Sequence, residues 1–306
     1  MSFEQFLDEV KGFLGENQVV LDREHLSHFS YDATERQYMP QVALLPQSTE
    51  DVSRIMKCAF LHGIPVTPQG GRTGLSGGAL PVRGGVVLSF TRLNRIVEID
   101  EANMFAVVEP GVISNDLQIE LGRRGLFFPP DPSSTVDSTL GGNVAENAGY
   151  TRAVKYGVTR DYVRGLEAVL PSGDVINLGG KTMKNVAGYD LISLLVGSEG
   201  TLAIITKIIL RLLMRPHARR TVMAYLNDLP EAADLIVAVF RSGIVPCAIE
   251  LMDNIAINTV ADHLGAALSR DAAALVLIET DGHGEEEVQA EALEITNLCR
   301  RSPGVT

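Results

Sequence analysis

Pro68-Gln69-Gly70-Gly71-Arg72-Thr73-Gly74-Leu75-Ser76-Gly77-Gly78-Ala79-Leu80-Pro81 is the stretch on which the reading of this chain turns. From Gly63 to Pro81 the run holds six glycines and a single charged side chain, Arg72. Without Cβ atoms, successive backbone N–H groups can crowd around one point and form a concave nest for an anion. Fixed amide dipoles of that kind can hold a diphosphate with little help from lysine. The hydroxyls of Thr73 and Ser76 could add hydrogen bonds. Taken alone, the same run also reads as a tight structural loop between two strands. It is not a dinucleotide fingerprint, because Gly70, Gly71, Gly74, Gly77 and Gly78 do not supply G-x-G-x-x-G at the start of a helix. Gly180-Lys181-Thr182 imitates the end of a P-loop, but the first glycine of that pattern would fall at Val175, whose side chain blocks the wrap around phosphate.

Upstream, a strand begins at Val42, and Ser48-Thr49-Glu50-Asp51 is a helix-capping signature. Val52, Ile55, Met56 and Ala59 then share one helical face, and Ile64 to Thr67 form a short strand, so a β-α-β unit feeds the glycine-rich loop. Phe3, Phe6, Val10, Phe13 and Leu14 give an N-terminal amphipathic helix that needs a core to dock on. Downstream come β-rich pieces at Gly85 to Phe90, Arg95 to Asp100 and Met104 to Glu109, then a helix around Asn115 to Arg124. Asp161 to Leu170 and Asp174 to Leu178 flank the turn Pro171-Ser172-Gly173 and predict an antiparallel pair. After Pro216 strands and helices alternate: strands at Thr221 to Tyr225, Ala248 to Met252 and Ala273 to Glu279, helices at Pro230 to Ser242, Asp253 to His263 and Glu285 to Arg300. A domain boundary is expected near Arg215, and the second domain reads as unfinished where the chain stops after a helix.

Two further clusters match the first in character. Thr139-Leu140-Gly141-Gly142-Asn143-Val144-Ala145-Glu146-Asn147-Ala148-Gly149 allows close backbone approach beside two amide side chains, and the proline-rich Pro129 to Ser134 before it must be a fixed loop. Gly197-Ser198-Glu199-Gly200-Thr201 leads into a strand, Leu202 to Ile209, whose edge is expected to be exposed and able to pair with a ring system. Each cluster separately suits a turn. Together they favour a large cofactor, which needs several backbone-lined contacts spread through the fold.

Composition narrows the partners. At 306 residues and 45% hydrophobic content the chain can bury a full core and suits about two domains. A formal charge of -12 argues against DNA or RNA, whose phosphates it would repel. Leu202 to Met214, the most apolar long stretch, is broken by Lys207 and Arg211 and falls short of the roughly 20 residues of a membrane-spanning helix. Glu4, Asp8 and Glu9 stand where a signal peptide carries positive charge, so a cytoplasmic location is expected, with any membrane association through a partner. Cys58, Cys247 and Cys299 lack the spacing of a zinc or redox site, and no metal site is expected.

The segments Pro68 to Pro81, Phe127 to Ser134 (FFPPDPSS), Thr139 to Gly149, Lys155 to Gly157 (KYG), Lys184 to Leu191 (KNVAGYDL) and Val196 to Thr206 (VGSEGTLAIIT) resemble, in this order, one known family. It is the FAD-linked oxidases of the vanillyl-alcohol-oxidase superfamily, and within it the group of D-lactate dehydrogenase, D-2-hydroxyglutarate dehydrogenase and the D-type subunit of glycolate oxidase. The likeness runs from about Asp32 to Met252. It implies an α+β fold, with a two-subdomain PCMH-type FAD-binding domain (residues 1–215) followed by an incomplete α+β cap, or substrate, domain (216–306).

By that resemblance Gly70, Gly71, Arg72, Thr73, Gly74, Leu75 and Gly78 wrap the FAD diphosphate. Pro130, Asp131, Ser134, Thr139, Gly142, Asn143, Ala145, Asn147 and Gly149 line the flavin and ribityl chain, and Glu199, Thr201 and Ile204 reach the adenosine half. Tyr150 and Ala203 depart from the family by standing where glycine is usual. Covalent members attach flavin through a histidine in or near the glycine-rich loop, which has none here. His62 is the nearest candidate, and the FAD is expected to be non-covalent. The implied activity is FAD-dependent oxidation of a small 2-hydroxy acid such as glycolate or D-lactate, by hydride transfer to flavin N5. The alternative is a non-catalytic flavin-binding or electron-transfer subunit beside an iron-sulfur partner. No catalytic residue is assigned, since the family's base and metal-ligand histidines, in an H-x-G-D-G-N segment, would lie beyond Thr306. Asp281-Gly282-His283-Gly284 is expected to be a plain loop.

Overall fold

Ser48 accepts a hydrogen bond from the Asp51 N–H at 3.1 Å and starts the helix Thr49–His62, as the capping signature predicts. The helix ends at Gly63, whose φ of 67° is left-handed. In this computed structural model, which describes residues 2–305, the helix buries Val52, Ile55, Met56 and Ala59. Phe6 and Val10 of the helix Phe3–Lys11 enter the same core. Beneath them runs a four-stranded sheet in the order Val19–Val20, Val42–Leu44, Val86–Ser89, Val66–Gln69. Val86–Ser89 pairs in parallel with both Val42–Leu44 and Val66–Gln69, and its four residues are all buried, as a parallel central strand requires. The glycine-rich loop leaves the end of Val66–Gln69, the outermost strand of this sheet.

A second sheet is antiparallel and five-stranded, in the order Ile96–Asp100, Phe105–Val108, Ile204–Arg211, Val163–Val169, Val175–Gly179. The last two strands form the expected hairpin around Pro171-Ser172-Gly173, with Gly173 at φ 89°. One expectation is corrected here. The strand after Thr201 has no exposed edge: Ile204–Arg211 pairs with Phe105–Val108 on one side and Val163–Val169 on the other. Its apolar residues on both faces fit a central strand, and Lys207 reaches the neighbouring strand to bond Glu167 at 3.2 Å.

The chain forms two compact units. One holds the residues up to Gly149 with Val158–Leu213, and the other Tyr150–Gly157 with the chain from Met214 onward. The second unit is built on an antiparallel sheet in the order Ala218–Leu226, Ala274–Gly282, Ala248–Asp253. Helices Leu229–Arg241 and Glu285–Arg301 cover it, burying Leu235, Val239, Ile295 and Cys299 against Leu226, Val276 and Ile278. The central strand runs on to Gly282, three residues past the predicted end, so Asp281 belongs to the sheet and not to a loop. The Asp281 side chain is 5% exposed and meets Lys155 Nζ at 2.7 Å, while the Tyr156 hydroxyl donates to its other oxygen at 2.8 Å. Those bonds tie the Tyr150–Gly157 stretch into the second unit.

Candidate functional site

The three glycine clusters, far apart in sequence, meet in the first unit around one cleft. It has about 1140 Å³ of open space counted out to its mouth, solvent included. Two of the approaches are backbone on backbone. A Cβ at Gly71 would run into the Asp137 carbonyl, so the loop lies flat against the turn before helix Leu140–Glu146. The Gly197 and Glu199 N–H groups donate to the Val144 and Ala145 carbonyls, both at 3.0 Å, fastening the third cluster to the end of that helix.

Among the described residues, no acceptor takes the backbone N–H groups of Gly71, Arg72, Thr73, Gly74 or Leu75. All but Leu75 belong to residues of the cleft wall. A row of unspent donors is what an anion nest requires. Arg72 takes a left-handed φ of 60° and Glu199 one of 50°, conformations that cost a non-glycine residue energy and collect at functional sites.

Side chains complete the wall. Gln69 is 1% exposed, and its Nε2 donates to the Phe29 and Ala79 carbonyls at 2.8 and 2.7 Å. The amide is thereby fixed, and Oε1 is left as an acceptor with no partner. Asp32 is 5% exposed; its Oδ1 takes the Thr34 N–H and hydroxyl at 2.9 and 2.5 Å, and its Oδ2 has no partner. The Arg72 guanidinium stands over the rings of Phe29 and Tyr31, with one terminal nitrogen unpartnered. Ser76 Oγ lies 3.0 and 3.2 Å from the two Glu146 oxygens and 3.2 Å from Glu199 Oε2. Burial pushes the Glu146 carboxyl above its ordinary value, and the charges of Glu199 and Asp32 push the same way, against the Ser76 hydrogen bond.

Of the residues the resemblance assigns to FAD, Gly70, Gly71, Arg72, Thr73, Gly74 and Gly78 line the cleft, as do Ser134, Thr139, Gly142, Asn143, Ala145, Glu199 and Ile204. Leu75, Pro130, Asp131, Asn147, Gly149 and Thr201 lie outside its lining. Leu75 is 78% exposed. Asn143 spends its Nδ2 on the Ser114 hydroxyl at 2.8 Å, and Asn147 spends its Oδ1 on the Arg160 N–H at 2.8 Å. Sequence reasoning missed Asp32, Gln69 and Glu146. Only Asp32 carries a local signal, the Asp-x-Thr turn, and nothing near Gln69 foretells the two carbonyls that lock it. His62 is not on the cleft wall; it lies on helix Thr49–His62 and bonds Glu9 at 3.0 Å.

Comparison with known proteins agrees with this architecture. Residues 40–179 match the FAD binding domain family, and residues 215–306 match the C-terminal domain of FAD linked oxidases. The chain is 43% identical over 279 residues to the glycolate oxidase subunit GlcD of Bacillus subtilis, covering 91% of this chain and 59% of that protein. It is 38% identical over 256 residues to D-lactate dehydrogenase of Anaerostipes hadrus, covering 82% and 54%. The chain thus spans less than two thirds of the length of these relatives. Among solved structures, p-cresol methylhydroxylase superposes with a TM-score of 0.81 at 19% identity, over 99% of this chain and 65% of that one, which shows the PCMH-type fold. With an FAD binding domain followed by the oxidase C-terminal domain, on a fold whose first unit gathers its glycine clusters around one cleft, the chain belongs to the FAD-linked oxidases, and its cofactor is FAD.

Proposed function

We propose that this chain binds FAD non-covalently in the cleft of its first unit and serves the oxidation of a small 2-hydroxy acid such as glycolate or D-lactate. The observation that carries the reading is the row of unspent N–H donors from Gly71 to Leu75 beside a cleft whose side-chain acceptors, Gln69 Oε1 and Asp32 Oδ2, are also unspent. The donors suit a diphosphate, and the acceptors suit hydroxyl and N–H groups, so the residues present fit the cofactor. FAD, when bound, supplies a hydride acceptor for the substrate's 2-carbon. The chain's part is to hold and orient it: the loop backbone through its amides, and Arg72 as the cation on the wall among the described residues. Residues 1–215 form the cofactor domain in this reading, and 216–306 contribute to the substrate side. The glycolate oxidase and D-lactate dehydrogenase relatives support the substrate class.

The test is spectroscopic. Purified protein should be yellow, or turn yellow on adding FAD, and glycolate or D-lactate should bleach the flavin without oxygen. A colourless protein that takes up no flavin overturns the reading. A second reading, a flavin-binding or electron-transfer subunit working beside an iron-sulfur partner in the cytoplasm or at a membrane reached through that partner, draws on the Bacillus relative being named a subunit. Flavin that binds but is bleached by no 2-hydroxy acid, while still passing electrons to a dye from a chemical reductant, selects it.

A further inference from the structure

Glu146, at the end of helix Leu140–Glu146, shares the Ser76 hydroxyl with Glu199, and both carboxylates stand on the wall that carries the unspent amides. Asp32 lines the same space with an oxygen that has no partner, although the residue is only 5% exposed. Against these three carboxylates the wall sets, among the described residues, one cation, Arg72. A diphosphate diester is a dianion at every physiological pH. Bringing it into a cleft already rich in carboxylate is opposed by charge, and desolvation strengthens the opposition. Backbone dipoles ease this, but they do not remove the like charges that already face one another.

We propose that FAD uptake by this protein is coupled to uptake of one proton by the Glu146–Ser76–Glu199 cluster, with Glu146 held as a neutral carboxylic acid in the complex. The inference rests on the reading that the diphosphate occupies this cleft. The balance is simple: one proton passes from solvent to a Glu146 oxygen as the dianion enters, and no bond of the cofactor changes. Glu146 is the member of the cluster chosen because its surroundings already favour the acid. It is partly buried, and the charges of Glu199 and Asp32 act on it in the same direction as burial. Ser76 is suited to the change, since a hydroxyl can donate to Glu199 while accepting from a protonated Glu146.

The sign follows from linkage. The pKa of Glu146 is raised in the free protein and raised further in the complex. Affinity is therefore greatest below the free-protein value, where Glu146 is already protonated, and falls as pH rises towards the value in the complex. Between the two, Kd should rise by about tenfold per pH unit, the slope for one proton.

The experiment uses the whole chain stripped of flavin. FAD binding is followed by quenching of flavin fluorescence from pH 5.5 to 8.5, and proton uptake by calorimetry in two buffers of different ionisation enthalpy. The wild type should lose affinity as pH rises and take up close to one proton within that range. Glu146→Gln should bind FAD with no net proton uptake and a nearly flat pH profile, and more tightly than the wild type at pH 8.5. Glu199→Gln, which leaves Glu146 in place, should reduce the proton uptake and shift the fall in affinity to lower pH. A wild type that binds FAD with constant affinity and no proton uptake overturns the coupling alone, as does Glu146→Gln keeping the wild-type slope. Failure of the wild type to bind FAD at any pH overturns both the coupling and the reading beneath it.

Discussion

Gly71 shows how little room separates the cradle from its support. Its missing Cβ is the space into which the Asp137 carbonyl fits. Gly71→Ala must push the loop off that turn, and overpacking of this kind costs about 1–3 kcal/mol. The variant is expected to purify without flavin colour and to melt at lower temperature, both read on one sample by absorption and thermal unfolding. Gln69 makes a different demand. Its Nε2 satisfies two carbonyls, so Gln69→Glu would set a buried carboxylate against the Phe29 and Ala79 oxygens. A loss of about 1–3 kcal/mol is expected from the unmade hydrogen bonds, and it should shrink as pH is lowered and the glutamate protonates, a trend measurable as melting temperature against pH. The sequence announced Gly71 but not Gln69. Glycine spacing is a local signal, whereas the lock on Gln69 comes from carbonyls 40 and 10 residues away in the chain.

Elements were legible to the extent that their determinants are local. Helix Thr49–His62 follows its cap, its apolar face and its closing glycine, all written within one stretch of chain. The hairpin at Pro171-Ser172-Gly173 is likewise local. The exposed edge expected for the strand Ile204–Arg211 fails because pairing is a tertiary fact, although its residues, apolar on both faces, favour a central position. The strand Ala274–Gly282 outran its predicted end for a related reason. Thr280 and Asp281 are polar, yet Lys155 and Tyr156 bond Asp281 and make its burial tolerable. Asp281→Asn removes the charge that holds Lys155, at an expected cost of about 1–2 kcal/mol for a charged hydrogen bond to a partly exposed partner. Backbone amides of the Tyr150–Gly157 stretch should then exchange hydrogen roughly tenfold faster, with the helix Thr49–His62 unaffected as the internal control.

The whole chain carries a net charge of -12, and the ligand proposed for its cleft is itself an anion. Long-range repulsion should slow their encounter, and salt should relieve it. The association rate of FAD with the flavin-free protein is expected to rise severalfold between low salt and about 0.15 M, where the screening length is about 8 Å, as followed by stopped-flow quenching. A rate that falls with salt would mean that the cleft's own field attracts the cofactor in spite of the molecule's total charge. The division of the chain bears on how the protein can be taken apart. Because Tyr150–Gly157 belongs with the residues after Met214, the backbone passes between the units at three places. A protease nick near Met214 therefore leaves two pieces that are still stitched together, one of them threaded through the other's territory, and they should travel as a single species until a denaturant loosens the Lys155–Asp281 clasp.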